Sequence, residues 1–120
     1  MGLSDIVRNE MLQDLLTRHA SVYLALSTTD PGGDGSGISE PADTYIRQLV
    51  DVTITGSQIL LDAAVSFPLS SINWGTLSHG AIFDDETAGV FVGSSAITAT
   101  PCPANTVVTI PQGTVLVDLT

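Results

Sequence analysis

Few side chains in this sequence could carry catalytic chemistry. Its two imidazoles, His19 and His79, are the candidates for general-base catalysis at neutral pH, and neither has a partner at a recognisable catalytic spacing. His19 falls at the end of a predicted helix and is interpreted as a cap. His79 lies in a predicted strand, on one face with Leu77 and Ala81, and is interpreted as a packing residue. No catalytic residue is therefore predicted, and the chain is predicted not to be an enzyme.

Carboxylates are concentrated in two predicted loops. They are Asp30, Asp34, Glu40 and Asp43 in the first loop and Asp84, Asp85 and Glu86 in the second. Oxygen ligands of this kind suit calcium, but their spacing does not fit an EF-hand loop. A glycan hydrolase, which needs two carboxylates facing each other across a cleft, is the enzymatic alternative. Solvated acidic turns are the favoured interpretation, so no metal site is predicted.

Cofactor sites are not indicated either. The glycine cluster at residues 32–37 contains no lysine and includes an acid, which would repel a phosphate. The single cysteine, Cys102, cannot form an internal disulfide and has no basic neighbour in sequence to activate it. We therefore expect no cofactor, and an inert thiol in a chain made in a reducing compartment.

The charge balance excludes several partners. The 120 residues include thirteen Asp and Glu, three Arg and no Lys, for a formal charge of −10. Nucleic-acid and anionic-membrane binding depend on basic patches, which three scattered arginines cannot form. Residues 87–117 carry no charge, but their glycines and prolines interrupt any membrane span. No nucleic acid and no membrane are predicted as partners.

An amphipathic helix is predicted over about residues 4–19. Ser4 is a suitable N-cap, and apolar residues recur at three- and four-residue spacing. This apolar stripe either covers the protein's own core or packs on a neighbouring chain. Under the second interpretation, the helix residues at the interface are Leu3, Val7, Met11 and Leu15.

From about residue 21 onward the apolar period changes to two, which is typical of strands. Predicted strands cover 22–26, 45–53, 59–67, 76–83, 90–97, 106–110 and 114–119. Residues 29–41, rich in Gly, Pro, Ser and acids, are predicted to form a loop with little to bury. The spacing of strands favours an all-β, antiparallel β-sandwich, jelly-roll or immunoglobulin-like, with one N-terminal α-helix, in a single domain spanning 1–120.

Trp74 is the remaining residue that could serve recognition. In a loop between Asn73 and Gly75, its ring either anchors a sugar or protein partner or folds back over the end of the core. Trp74 is included with the helix residues in the predicted interface.

Several segments together resemble a known family. They are residues 1–5, 22–31, 45–47, 74–84 and 110–117, and the most specific is the W-G-T-x-x-H-x-x-x-F-D run from Trp74 to Asp84. The sequence departs from the expected pattern before Tyr45, where Ala42-Asp43-Thr44 replaces a Gly-Gly turn. The whole resembles the small virion structural proteins of tailed bacteriophages, often labelled tail fibre or minor virion proteins.

The resemblance implies a non-enzymatic virion protein, made in the host cytoplasm and assembled as a homotrimer. A capsid decoration or cement protein, bound to the major capsid protein or other virion proteins, is the favoured expectation. A tail or head fibre subunit that contacts the host is the alternative. Because a chain with a charge of −10 would be repelled by packaged DNA, we expect it on the outer surface of the particle.

Overall fold

The computed structural model describes residues 4–19, 21–42 and 44–118. Its single described helix, α1, spans Asp5–Arg18. The Ser4 hydroxyl accepts a hydrogen bond from the Val7 amide at 3.2 Å and so forms the predicted N-cap. The helix prediction is thus confirmed within the described residues. None of these residues forms a helix long and apolar enough to cross a membrane.

The other regular elements of the described chain are antiparallel strands. They are β1 (Val22–Ser27), β2 (Gln48–Val50), β3 (Val52–Thr55), β4 (Gln58–Leu61), β5 (Val65–Ser66), β6 (Gly75–Phe83), β7 (Phe91–Cys102), β8 (Thr109–Ile110) and β9 (Val115–Asp118). Three sheets result, with strand orders β2-β1-β6-β7, β3-β4-β9 and β5-β8. The predicted all-β, sandwich-like fold with one N-terminal helix is confirmed.

Two predicted strands are broken in the structure. The run 45–53 divides at Asp51 because the chain leaves the four-stranded sheet there and enters the three-stranded one. The run 59–67 divides between β4 and β5, and Ala63 in the gap is exposed. By contrast β7 runs five residues past the predicted 97, because it stays paired with the long strand β6 as far as Gly75 opposite Cys102.

The main core lies between the inner face of the four-stranded sheet and the three-stranded sheet. Leu24, Leu26 and Ile82 from the first meet Ile59 and Leu61 from the second, and all are almost completely buried. Burying apolar side chains of this size stabilises each by about 1.5–3 kcal/mol relative to exposure.

Helix α1 covers one side of this core. Leu12 is buried, Leu15 and Leu16 pack against the cluster, and the Asn9 side chain donates to the Gly56 carbonyl at 3.0 Å in the β3–β4 turn. The helix therefore uses part of its apolar stripe to close its own sandwich.

The outer face of the four-stranded sheet is covered by the glycine-rich loop (residues 29–41). Pro31 of this loop is fully buried, and Ile38 packs with Phe91 on a second small cluster of Ala25, Ala81 and Phe83. The prediction that this loop has little to bury is wrong. Its composition matches a solvated linker, but the contacts that order it come from residues distant in sequence.

Hydrogen bonds and one glycine shape the loop. The buried Ser27 hydroxyl accepts from the amides of Thr29 and Ser39 at 3.1 and 3.0 Å, which pins both ends. Gly35 has φ +80°, and a Cβ added there would lie 2.7 Å from Cγ of Phe91. Only glycine combines this backbone conformation with so close an approach to the ring.

We therefore expect Gly35→Ala to destabilise the fold by about 2 kcal/mol or more, from backbone strain and overlap with Phe91. Gly33→Ala is the matched control, because φ at Gly33 is not positive and no atom lies within 4 Å of the added Cβ. Its effect should stay within about 0.5 kcal/mol in urea unfolding. Equal effects of the two substitutions would contradict the described packing of the loop.

Candidate functional site

The two histidines lie in separate environments. His19 is the C-cap of α1, as predicted: its amide donates to the Leu15 carbonyl, and its Nδ1 lies 3.1 Å from Oδ2 of Asp84. His79 lies half-buried with Nδ1 2.8 Å from the Ser78 hydroxyl. Leu77 belongs to the main core, whereas Ala81 belongs to the small cluster under the glycine-rich loop. The predicted common face of His79 with both residues is therefore wrong.

The loop carboxylates accept hydrogen bonds from their own turns. Asp30 accepts from the Gly32 amide, and Asp34 accepts from the amide and hydroxyl of Ser36, which hold the pKa of Asp34 below its ordinary value. Asp84 accepts from the Val90 amide at 2.6 Å, and this bond lowers its pKa. Asp43 lies outside the described residues. Within the described residues no group of His, Cys, Asp or Glu side chains is placed to hold a metal ion.

The most connected polar group is a cluster of Glu40, Tyr45 and Arg47, here called the Arg47 cluster. Arg47 donates from Nε to Oε1 of Glu40 at 2.8 Å and from Nη2 to Oε2 at 3.0 Å. The Tyr45 hydroxyl donates to Oε1 of Glu40 at 2.7 Å and accepts from the Leu26 amide at 3.0 Å. The two-pronged ion pair is thereby tied to the central strand β1.

Arg47 also holds the acidic loop (residues 84–90). Its Nη1 donates to the carbonyls of Asp85 at 3.2 Å and Ala88 at 2.6 Å. The guanidinium carbon lies 3.7 Å from the centre of the Phe83 ring, and the side chain is only 9% exposed. One arginine thus joins the glycine-rich loop, the acidic loop and the four-stranded sheet.

The ionisation of the cluster follows from these contacts. Burial opposes the charge on Glu40, but the hydrogen bonds from Arg47 and Tyr45 and the positive charge of Arg47 outweigh it and lower the pKa of Glu40. Burial raises the pKa of Tyr45, and the neighbouring carboxylate raises it further. Glu40 is therefore held as a carboxylate and Tyr45 as a neutral donor, which is the state that the hydrogen bonds require.

A shallow cavity of about 190 Å³ lies beside this cluster and is lined in part by Glu40, Arg47 and Glu86. Two of its charged side chains, Glu40 and Arg47, already form an ion pair with each other. We therefore interpret the cluster as structural, a role that the sequence analysis did not identify. The signal in the sequence was Arg47 itself, the last arginine of an acidic chain that has no lysine.

The predicted interface residues of the helix are divided by the structure. Val7 and Met11 are 39% and 47% exposed, and Ile6, which the prediction did not include, is more exposed than either. Leu15 instead packs against the core of its own chain. Leu3 lies outside the described residues. The part of the stripe that remains available to a partner consists of Val7 and Met11.

Trp74 is not an exposed anchor. Its side chain is 5% exposed, and its ring meets Tyr45 edge-on with centroids 5.7 Å apart. Tyr45 in turn stacks on Phe67 at 5.9 Å. The ring folds back over the core because burying an indole stabilises the fold more than leaving it at a turn. Trp74 therefore fails as an outward-facing contact in the isolated chain.

Exposed apolar side chains occur elsewhere than predicted. Leu69, Ile72 and Val107 are about half exposed and belong to two adjoining loop segments. Backbone bonds from Ser70 to the Thr106 carbonyl and from Asn105 to the Ser70 carbonyl join these segments. Since these residues lack a regular period, their sequence pattern did not distinguish them from core residues.

Comparison with known proteins places the chain among phage proteins. A family model described as podophage GP4 fiber I protein gp80 matches residues 2–118. No curated protein matches the sequence.

From the contacts of the Arg47 cluster we expect Arg47→Lys to lower the free energy of unfolding by about 2 kcal/mol or more. The ammonium of lysine cannot reproduce the planar, two-pronged contact with Glu40, and it cannot replace the hydrogen bonds to the two loop carbonyls. Arg18→Lys is the matched control, because Arg18 pairs with Asp14 at 3.1 Å on the exposed helix surface. The control should change stability by less than about 0.5 kcal/mol. Urea unfolding of both variants checks the difference, and similar losses would contradict the role assigned to Arg47.

A pH dependence follows from Glu40. Because its pKa is lower in the folded chain than its ordinary value of 4.5, its contribution to stability is present above that value and is lost as the pH falls through the folded pKa. The stability difference between wild type and Glu40→Gln should therefore shrink on going from about pH 7 to about pH 3. Unfolding curves at both pH values measure it, with Glu10→Gln on the exposed helix surface as control. A difference that stays constant would contradict the pairing.

Proposed function

The chain belongs to the family of podophage GP4 fiber I protein gp80, a family of phage structural fibre proteins, and on this basis we propose that it is a subunit of a fibre on the outside of a tailed-bacteriophage particle. The observation that carries the proposal is the family match, which covers residues 2–118 and so nearly the whole chain. This match favours the fibre interpretation over the capsid decoration or cement role that the sequence analysis preferred.

The fibre subunit acts through contacts with other proteins and not through catalysis. Supporting this, the hydrogen bonds of Asp30, Asp34 and Asp84 close loops of the protein itself. Glu40 is held against the only arginine of the sheet region. The side chains best suited to chemistry are thus committed to folding.

The outside of the particle is the proposed location because of charge. A chain with a formal charge of −10 approaches packaged DNA only against electrostatic repulsion, whereas the solvent-facing surface carries no such cost. The host-facing role of a fibre is compatible with this placement.

Attachment to the particle is assigned to the outer part of helix α1. Val7 and Met11 lie one helical turn apart on a side not used by the core. A groove on the major capsid protein or another virion protein would bury both. The trimeric state expected from the family resemblance stays part of this proposal, with the same helix surface repeated in each copy.

Phage particles assembled without this chain test the function. A fibre subunit predicts particles with intact, DNA-filled heads that adsorb poorly to host cells, with few copies of the chain in each wild-type particle. A cement protein predicts hundreds of copies and heads that lose DNA on mild heating. Normal adsorption together with fragile heads would overturn the fibre proposal.

Adding purified protein back to such particles tests the attachment surface. Val7→Asp with Met11→Asp should abolish rebinding, because two buried carboxylates would have no partner. Thr17→Asp is the control for an added carboxylate on the helix, since it places one negative charge at an exposed helix position away from Val7 and Met11. All variants should show thermal melts close to that of wild type. Equal rebinding of the double variant and the control would refute attachment through this surface.

A further inference from the structure

A groove opens on one side of the sandwich, between the second half of β7 and the chain from Thr109 to Val115. Its volume of about 300 Å³ lies at the lower end of the range of small-molecule sites. Along the β7 wall, Leu77 of β6 pairs with Thr100, and the next pair joins His79 to Ala96. One residue of β6 therefore faces three of β7, which is a bulge, and a bulge bends its strand. The groove lies where β7 leaves the regular course of the sheet.

Threonines on the two walls of the groove have hydroxyls that the protein orients. Thr100 donates from Oγ1 to the Thr98 carbonyl at 2.9 Å, and Thr114 donates from Oγ1 to the Pro111 carbonyl at 2.7 Å. A hydroxyl has one hydrogen to donate and two lone pairs that accept. With their hydrogens committed to carbonyls, both hydroxyls retain only the capacity to accept. A ligand that bonds to them must therefore supply hydrogen-bond donors.

Aliphatic side chains supply the apolar part of the same lining, among them Ile97, Ile110 and Val115. Ile110 is buried and Ile97 packs against the main core, so the fold fixes their positions. None of the described lining residues is charged, because both walls come from residues 87–117, which contain no Asp, Glu, Lys or Arg. A charged ligand would lose hydration in the groove without meeting a counter-charge. The lining thus favours an uncharged ligand with an apolar face.

We propose that this groove binds a neutral sugar unit of a glycan on the host-cell surface. A neutral sugar ring combines hydroxyl donors, apolar C–H faces and the absence of charge, which are the three properties that the lining selects. An added peptide strand is the less suitable occupant, because strand addition needs a regular edge, whereas β7 bulges here and continues into Pro101. The inference deepens the fibre proposal and rests on it for the source of the sugar.

Amide chemical shifts of the ¹⁵N-labelled full-length chain test the site during titration with methyl glycosides of glucose, galactose and N-acetylglucosamine. At least one of these probes should cause saturable shifts centred on residues 96–100 and 109–115, with a Kd of about 1–10 mM. Methyl glucuronoside, which carries a carboxylate on the same ring, should bind about tenfold more weakly or less, because the acidic chain repels it. Shifts that saturate with none of the neutral probes, or equal binding of the glucuronoside, would overturn the proposal.

Two neighbouring alanines of the bulge provide a matched pair of variants. Ala96 and Ala99 are both exposed, but only Ala96 lines the groove. Ala96→Leu should fill part of the groove and weaken sugar binding by about tenfold or more, whereas Ala99→Leu should change it by less than about twofold. If Ala96→Leu fails to fold, Thr98→Val removes a lining hydroxyl with little change of shape and should also weaken binding by about tenfold, with the exposed Thr55→Val on β3 as control. Equal effects within both pairs would contradict binding in the groove.

Rebinding to particles that lack the chain separates this inference from the fibre proposal. The Ala96→Leu chain should rebind as the wild type does but restore adsorption to host cells poorly, because its attachment is intact and its sugar contact is lost. Failure to rebind would mean that the groove contacts another virion protein, which would overturn the sugar site and leave the fibre proposal standing. Sugar binding by the purified chain, together with normal adsorption of particles that lack it, would instead contradict the fibre proposal and the host-cell source of the sugar.

Discussion

The described fold depends on the compensation of one buried charge. The Arg47 side chain is almost buried, so its contacts with the protein must replace the hydration free energy that the guanidinium loses on folding. Breaking a buried ion pair of this kind costs far more free energy than breaking one at the surface. Its partners come from places distant in sequence: Glu40, the carbonyls of Asp85 and Ala88, and the face of Phe83. Satisfying this one side chain requires two loops to lie against the same sheet at once.

Features set by neighbouring residues could be predicted from the sequence. The N-cap at Ser4, the C-cap at His19 and the period of α1 depend on contacts within a few residues, and the predicted runs 22–26 and 76–83 lie within one residue of the bounds of β1 and β6. The all-β class followed from these patterns and the spacing of turns. The family, too, could be inferred, because the resemblance rested on whole segments and not on single residues.

Features set by distant contacts could not be predicted. The covering role of the glycine-rich loop depends on Phe91, more than fifty residues after Gly35, and the break at Asp51 depends on the sheet to which each half of the strand pairs. Trp74 and Val7 show the same limit for the candidate site. Residue type identifies both as apolar, but only the fold decides that the first is buried and the second exposed.

The ordering of residues 29–41 protects this segment against proteolysis. A segment so rich in glycine and serine is what proteases cleave most readily, because cleavage needs several residues free to extend into an enzyme's cleft. Here Pro31 is buried, Ser27 pins both ends, and release of the segment would also separate Glu40 from its guanidinium. Digestion at this site must therefore await cooperative opening of the sheet's outer layer, which protects a linker-like sequence without a disulfide.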